Sequence, residues 1–308
     1  MVMRNPPAAV PAGPGLPAKS KPQAERTYLL QRKLSRGLVY AACIVLSVVF
    51  VAPFLWSILS SLKGPSEIYV FPPSWLPKDP RWNTYIEVWR QVPFGRFYWN
   101  TIFITVFSTF GAVLSSTLIA YGFARFEFPG RNALFMVVIA TLILPQQVTL
   151  IPRYLIFRQL KWLDSYLPLI VPNYFAGNAF FIFMLRQFLM GIPRALDEAA
   201  EIDGASPLRI LWRILFPALK PAVASIAIFS FLFNWNDFIR PLIYLNTTEK
   251  YTLALGLRHF QQQPEVGGDP PEPYLMAASL MVALPPILLF FVAQRFFVRG
   301  VVLSGIKG

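Results

Sequence analysis

Cysteine and histidine are nearly absent from these 308 residues: one cysteine, Cys43, and one histidine, His259. A lone cysteine excludes an internal disulfide. A lone histidine without a cysteine cluster leaves no ligand set for zinc, so no metal site is expected. Charge is scarce as well. Asp, Glu, Lys and Arg make up 14% of the chain, against about 25% in soluble domains. Acidic residues are the rarer sign, 15 against 28 Lys and Arg, for a formal net charge of +13. There is no G-x-x-x-x-G-K-[ST] phosphate loop and no H-E-x-x-H pair, so ATP hydrolysis and zinc-protease chemistry are not expected of this chain. Ser57, Ser60 and Ser61 lie in an apolar run, where a hydroxyl more often bonds the carbonyl one turn back than acts as a nucleophile. No catalytic constellation and no cofactor site emerges.

Apolar residues are what the chain has in quantity: 55% of the total, with a mean hydropathy of +0.50. They fall in runs of about 20 residues, the length that crosses a bilayer as a helix. The expected class is an all-α integral membrane protein with six transmembrane helices, near 38–62, 99–124, 133–151, 167–189, 222–245 and 274–298. Residues 1–36, rich in Pro and basic side chains, read as an unstructured cytoplasmic tail. Residues 37–298 form the six-span domain, and 299–308 a C-terminal tail. The first apolar run exceeds the core of a signal peptide, about 7–15 residues, and reads as an uncleaved span. The net charge does not point to nucleic acid, because the basic residues sit in loops between the runs. The larger share of the Lys and Arg lies in the N-terminal tail, 125–132, 190–221 and the C-terminal tail, which places both termini in the cytoplasm.

One polar stretch, within 191–221, stands between the fourth and fifth runs and reads as helix, corner, helix. Asp197 and Glu198 fall early enough to complement a helix N-terminus. Gly204 permits the backbone reversal. Ser206 and Pro207 suit an N-cap and first position. Leu208, Leu211, Trp212 and Leu215 form an apolar stripe, and Pro217 and Pro221 are expected to close the unit. The pattern alone also fits a helix lying on the membrane surface.

Polar residues inside the runs form a second group: Gln146 and Gln147, Asn173 and Asn178, and Asn234, Asn236 and Asp237. Unpaired polar groups in hydrocarbon are costly, so each either bonds a neighbouring helix or faces a watery path. Asn234-Trp235-Asn236-Asp237 sets a carboxylate beside an indole, the pairing that holds sugar hydroxyls and faces, although Arg240 is placed to neutralise Asp237. The stretch 256–273, with Gln261-Gln262-Gln263 and Gly267-Gly268-Asp269, reads as a flexible external loop.

The spacing Glu198-Ala199-Ala200, three residues, Gly204, nine residues, Ile214, one residue, Phe216-Pro217 resembles the EAA loop of ABC importer permeases. Asp203 and Ala205 flank the glycine as is common there, and Phe216 stands where leucine is usual. ILPQQVTLIPRYLIFRQL, FNWND and the ending QRFFVRGVVLSGIKG are similar to segments of maltose/oligosaccharide-type carbohydrate permeases, and the likeness covers about 38–308. The resemblance implies a subunit forming half of a translocation pathway. Its partners would be a homologous second permease, two ATPase subunits that bind ATP and Mg, and an extracytoplasmic sugar-binding protein, in a prokaryotic plasma membrane. The loop, cytoplasmic in the topology above, would seat Glu198, Ala199 and Ala200 in a cleft of the ATPase. Gly204 would set the corner, and Ile214, Phe216 and Pro217 would anchor the second helix. Two other readings stay open: an ion-gradient-driven transporter, which needs an intramembrane carboxylate relay, and a membrane assembly subunit that transports nothing.

Overall fold

A computed structural model describes residues 21–262 and 271–305, and among these the regular structure is entirely helical. The chain divides into two compact units, 1–55 and 56–308. The described part of the first lies in helix α1, Lys21–Ser61, whose apolar side chains from Leu38 to Leu55 are largely exposed. A helix apolar all round is at home only in lipid or a large core. Of the tail expected to be unstructured to Arg36, residues 21–36 are helical, because α1 begins at Lys21. Beyond Pro22, tolerated in a first turn, no Pro or Gly interrupts good helix formers until Gly37. Residues 1–20 lie outside the described segments.

Two short helices, α2 (Pro65–Ile68) and α3 (Asn83–Gln91), precede α4, Phe94–Arg125, along which the second unit is organised; its 32 residues span about 48 Å at 1.5 Å per residue. A small residue recurs at every fourth position, Ser108, Ala112, Ser116, Ala120 and Ala124, and all five are buried. Small side chains at this spacing let neighbouring helices approach closely. Gly111 adds to the seam, since a Cβ there would come within 2.4 Å of the Tyr174 ring. Three apolar clusters sit along α4. Phe94 and Phe97 pack with Val88 of α3 (Asn83–Gln91), Trp235, Phe260 and Tyr274. Ile104 packs with Phe157, Leu169, Tyr244 and Leu245. Near Arg125, Ala120 and Tyr121 pack with Leu185, Leu211 and Leu215.

Three expected spans are broken. The third is α5, Arg131–Ala140, then a 3-10 turn, Thr141–Ile143, then α6, Gln146–Gln159, the pair bent by 104°. Pro145 is the cause: it lacks an N–H and drives Leu144 out of helical geometry, to φ −74° and ψ 117°. Arg131 Nη1 donates to Phe126 O at 3.1 Å while Phe157 packs with Ile104. The ends of the bent pair are thus separated along α4 by about 30 Å, the depth of a hydrocarbon core.

The fourth run is α7, Leu167–Ile170, a 3-10 turn, Val171–Tyr174, and α8, Ala179–Met190. Ala176 has φ +57° at the break. The fifth is α11, Phe216–Trp235, and α12, Ile239–Tyr244, interrupted by Asn236, Asp237 and Phe238. The sixth, α14, Glu272–Gly305, runs past Val298, so the expected tail from 299 begins without a break in the helix; 306–308 lie outside the described residues. The stretch read as a flexible loop overlaps α13, Leu253–Gln262, seated where Gly256 lets the backbone approach Phe97. Residues 263–270 are not described. Five helices are long and apolar enough to cross a membrane, six with the bent pair taken as one.

Candidate functional site

The polar stretch folds as a helix, α9, Ala195–Ile202, and a second helix, α10, Pro207–Ile210. Gly204 turns the chain between them at φ +76°. Gly204 N–H donates to Glu201 O at 3.0 Å and Ala205 N–H to Ala200 O at 2.9 Å. These are the paired bonds of a Schellman closure, with the glycine at the left-handed position. Asp203, whose N–H bonds Ala199 O at 3.1 Å, is the residue before it, so Asp203, Gly204 and Ala205 act as one backbone device. Ser206 occupies the N-cap of α10 with extended backbone, but its side chain makes no capping bond.

The second helix does not stop at its prolines. α10 continues through a π-helical turn, Leu211–Leu215, into α11, with Pro217 in the first turn of α11 and Pro221 inside it. The wider π turn shifts the register of the apolar face. Ile210, Leu211, Leu215 and Leu219 are fully buried while Leu208 and Trp212 are exposed, which revises the expected stripe. Ile214 packs partly against this core, and Phe216 meets Trp212 with ring centroids 5.1 Å apart.

Side chains at the end of α4 grip both halves of the corner. Tyr121 Oη donates to Pro207 O at 3.1 Å. Arg125 Nη2 donates to Ile192 O at 3.1 Å, and Arg125 Nε lies 2.9 Å from Asp197 Oδ2. Asp197 is 8% exposed. Burial pushes its carboxyl above the ordinary value, against the pull of Arg125 and Arg194. Its sign is therefore the reverse of a surface ion pair: the contribution to stability is full at low pH and falls as pH rises through the raised value.

The residues of the expected coupling set separate into two roles. Glu198 and Ala199 are exposed, as are Asp203, Gly204 and Pro217. Ala200, expected in a partner's cleft, is 6% exposed and belongs to the core beside Leu211; with Ala205 it closes the corner from inside. Leu196, Leu208 and Ile202, the last 88% exposed, give the outer edge an apolar character. Tyr121 and Arg125 were not legible as site residues. Their only signal is that Arg125 is the first charge after the uncharged stretch from Phe97, which positive-inside reasoning already explains.

The polar residues of the spans do not form one site. Asn173 Nδ2 bonds Leu169 O at 2.9 Å, and its own carbonyl takes the Ser115 hydroxyl at 2.8 Å. Asn178 caps α8 through Phe180 N at 3.0 Å. Asn234 bonds Ser230 O at 2.7 Å and accepts from Arg240 Nη2 at 3.1 Å, while Asp237 pairs with Arg240 Nε at 2.5 Å. Arg240 thus neutralises the carboxylate. Trp235 offers no open face for a sugar: it stacks on Phe231, meets Tyr98 edge-on and donates to Val282 O at 3.0 Å. Asn236 bonds Leu232 O and is exposed, as are Gln146 and Gln147 at the start of α6.

A latch closes the opposite end of α4. Asp164, at φ +54°, accepts from the Asn246 and Thr247 amides at 3.0 Å each, from Thr247 Oγ1 at 2.6 Å and from Lys250 Nζ at 2.7 Å. Lys250 and Thr247 hold its carboxyl well below the usual range. The latch is complete above the ordinary carboxylate range and is lost as pH falls through the depressed value. Asp164→Asn is expected to raise amide exchange at Asn246 and Thr247 about fivefold, corresponding to about 1 kcal/mol for a largely solvated set of bonds. Hydrogen-exchange mass spectrometry near neutral pH measures it, and unchanged exchange would remove the latch.

Residues 112–303 match the family model described as binding-protein-dependent transport system inner membrane component. The sn-glycerol-3-phosphate transport system permease protein UgpE of Pectobacterium atrosepticum is 31% identical over 84% of this chain and 92% of its own length. The arabinooligosaccharides transport system permease protein AraQ of Halalkalibacterium halodurans is 31% identical over 85% and 93%. A chain from the crystal structure of a bacterial ABC transporter involved in import of the acidic polysaccharide alginate superposes with a TM-score of 0.77 at 25% identity, covering 92% of this chain and all of that one.

Proposed function

This chain belongs to the family of binding-protein-dependent transport system inner membrane components, and on that premise we propose that it forms half of the pathway of an oligosaccharide importer. As a permease subunit it is not an enzyme; hydrolysis belongs to separate ATPase chains. Two of these, with ATP and Mg, would dock on the corner, and a homologous permease would complete the pathway. An external binding protein would deliver the solute at the end carrying the Asp164 latch. Six crossings, with both termini and the corner in the cytoplasm of a prokaryotic plasma membrane, fit the bent third span, whose ends lie far apart along α4.

The observation that carries this reading is the corner itself. Its outer edge exposes Glu198, Ala199, Leu196 and Ile202, while Tyr121 and Arg125 fasten its inner side to α4, the helix along which the second unit packs. A partner that moves the edge therefore moves α4. Asp203, Gly204 and Ala205 fix the angle, and Ile214, Phe216 and Pro217 join the second helix rigidly to the fifth span. Each state of such a cycle must be favoured by a different ligand or partner.

The substrate class rests on the carbohydrate-type sequence segments and on the arabinooligosaccharide and alginate systems among the similar proteins. Gln146, Gln147 and Asn236 are exposed and carry amides suited to hydroxyl groups; Asn173, Asn178, Asn234 and Asp237, each bonded within its own segment, would shape the pathway rather than contact the sugar. An ion-driven mechanism is disfavoured because Asp237 is tied to Arg240. Proteoliposomes holding both permeases and the ATPases should take up labelled oligosaccharide only with ATP inside and binding protein outside. Uptake driven by an ion gradient without ATPases, or binding with no uptake, would overturn the proposal.

A further inference from the structure

A cavity of about 290 Å³ opens beside the corner, where α4 and α8 end and α5 begins. Four arginines line it, Arg125, Arg131, Arg186 and Arg194, and no acidic residue does. Two of the four already face a carboxylate: Arg125 lies 2.9 Å from Asp197, and Arg194 is 3.8 Å from the exposed Glu127. Arg131 donates to the Phe126 carbonyl. Arg186 is different. Its guanidinium lies 4.1 Å above the centroid of Phe135, and its buried Nε has no hydrogen-bond partner. Arg131 and Arg186 share the opening with no carboxylate paired to either among the described residues, and the buried unsatisfied donor of Arg186 is unfavourable unless an anion meets it.

We propose that this cavity is a binding site for a phosphate group, supplied by an anionic phospholipid headgroup. Guanidinium forks match phosphate oxygens bidentately, and Arg186 presents the unused donor. The surroundings favour a lipid source. Three candidate membrane segments terminate here, which puts the cavity at headgroup depth. Phe123, Phe135 and Phe183 form a chain of ring contacts, 5.4 Å and 6.5 Å between centroids, leading away from it along α5 and α8. Phe183 and Leu134 are exposed along that line, where an acyl chain would lie. Arg125 and Arg194 flank both the cavity and Asp197, so a bound phosphate would brace the grip on the corner. That consequence for transport rests on the function proposed above; the binding itself does not.

The test uses the complete purified transporter. Native mass spectrometry and thermal unfolding are followed as phosphatidylglycerol, phosphatidylcholine or inorganic phosphate is added. The wild type should retain phosphatidylglycerol at least severalfold better than phosphatidylcholine and unfold at higher temperature with it. Arg186→Gln should abolish that preference and Arg186→Lys should restore part of it; Arg131→Gln serves as the second variant if Arg186→Gln does not assemble. Stabilisation by inorganic phosphate equal to that by phosphatidylglycerol, and lost in Arg186→Gln, would keep the phosphate site and assign a soluble source. No preference for either phosphate-bearing anion over phosphatidylcholine, or equal retention by wild type and both charge-removing variants, overturns the site. So does a variant that keeps the lipid but releases the ATPases, since the arginines would then serve the partner protein. A complex that loses uptake yet keeps the lipid preference would count against the transport reading alone.

Discussion

Gly204→Val is expected to reduce ATP-dependent uptake at least about tenfold while leaving membrane insertion unchanged. Nothing lies within 4 Å of a Cβ at this position, so no clash is involved. The effect comes from the backbone: the left-handed region costs an ordinary residue about 1–2 kcal/mol, and a β-branched one resists it further. Relief requires rotating φ away from +76°, which breaks the bonds from Gly204 to Glu201 and from Ala205 to Ala200. The exposed edge then changes its angle to the rod that enters the fifth span. Asparagine tolerates this conformation, so Gly204→Asn should keep most of the activity. Uptake in proteoliposomes, with the ATPase rate measured alongside, separates lost coupling from lost assembly. Wild-type uptake by the valine variant would end the assignment of the corner as the coupling device.

Arg125→Ala should have the larger effect on stability. It removes two fastenings at once, the contact with Asp197 and the hydrogen bond to the Ile192 carbonyl. Removing one partner of a buried ion pair costs roughly 3–5 kcal/mol because the other charge stays buried. We expect a clearly lower unfolding temperature and loss of the ATPases during purification. Asp197→Asn should cost less than Arg125→Ala, since Arg125 keeps its hydrogen bond to the Ile192 carbonyl. Combining the two should recover a substantial part of the loss. The sign of Asp197 adds a check: the defect of Arg125→Ala should lessen as pH is lowered toward the carboxylate range, as the unpaired group takes up a proton. A double variant no better than Arg125→Ala alone would count against the pairing.

The existence of the spans was legible because long apolar runs admit few alternatives in a bilayer. Their interruptions were not, although the residues responsible are visible. Gln146 and Gln147 stand out in the third run as polar residues, but it is Pro145 beside them that bends the span by 104°. Asn234 and Asp237 suggested a sugar contact, yet with Arg240 they form a closed polar knot after Trp235. The reversal at Gly204 was legible because a Schellman closure depends on local sequence, whereas the π turn that carries the second helix past Pro217 and rotates its apolar face was not. Arg125 with Asp197, and Asp164 with Lys250, join residues far apart in the chain, and no periodicity announces such pairs. The π turn at Leu211–Leu215 likewise carries no mark in the local sequence.

The buried ladder of Ser108, Ala112, Ser116, Ala120 and Ala124 has a mechanical meaning. Bulky side chains interlock like gear teeth and oppose lengthwise travel, while hydroxymethyl and methyl groups present a shallow track. Helices resting on such a track can glide along it by a fraction of a turn without exchanging rotamers, the small shear that packed helices allow. Force applied at the corner would thus reach the far latch as a push along the axis of α4, carried by a stiff shaft rather than dissipated in rearranging its neighbours.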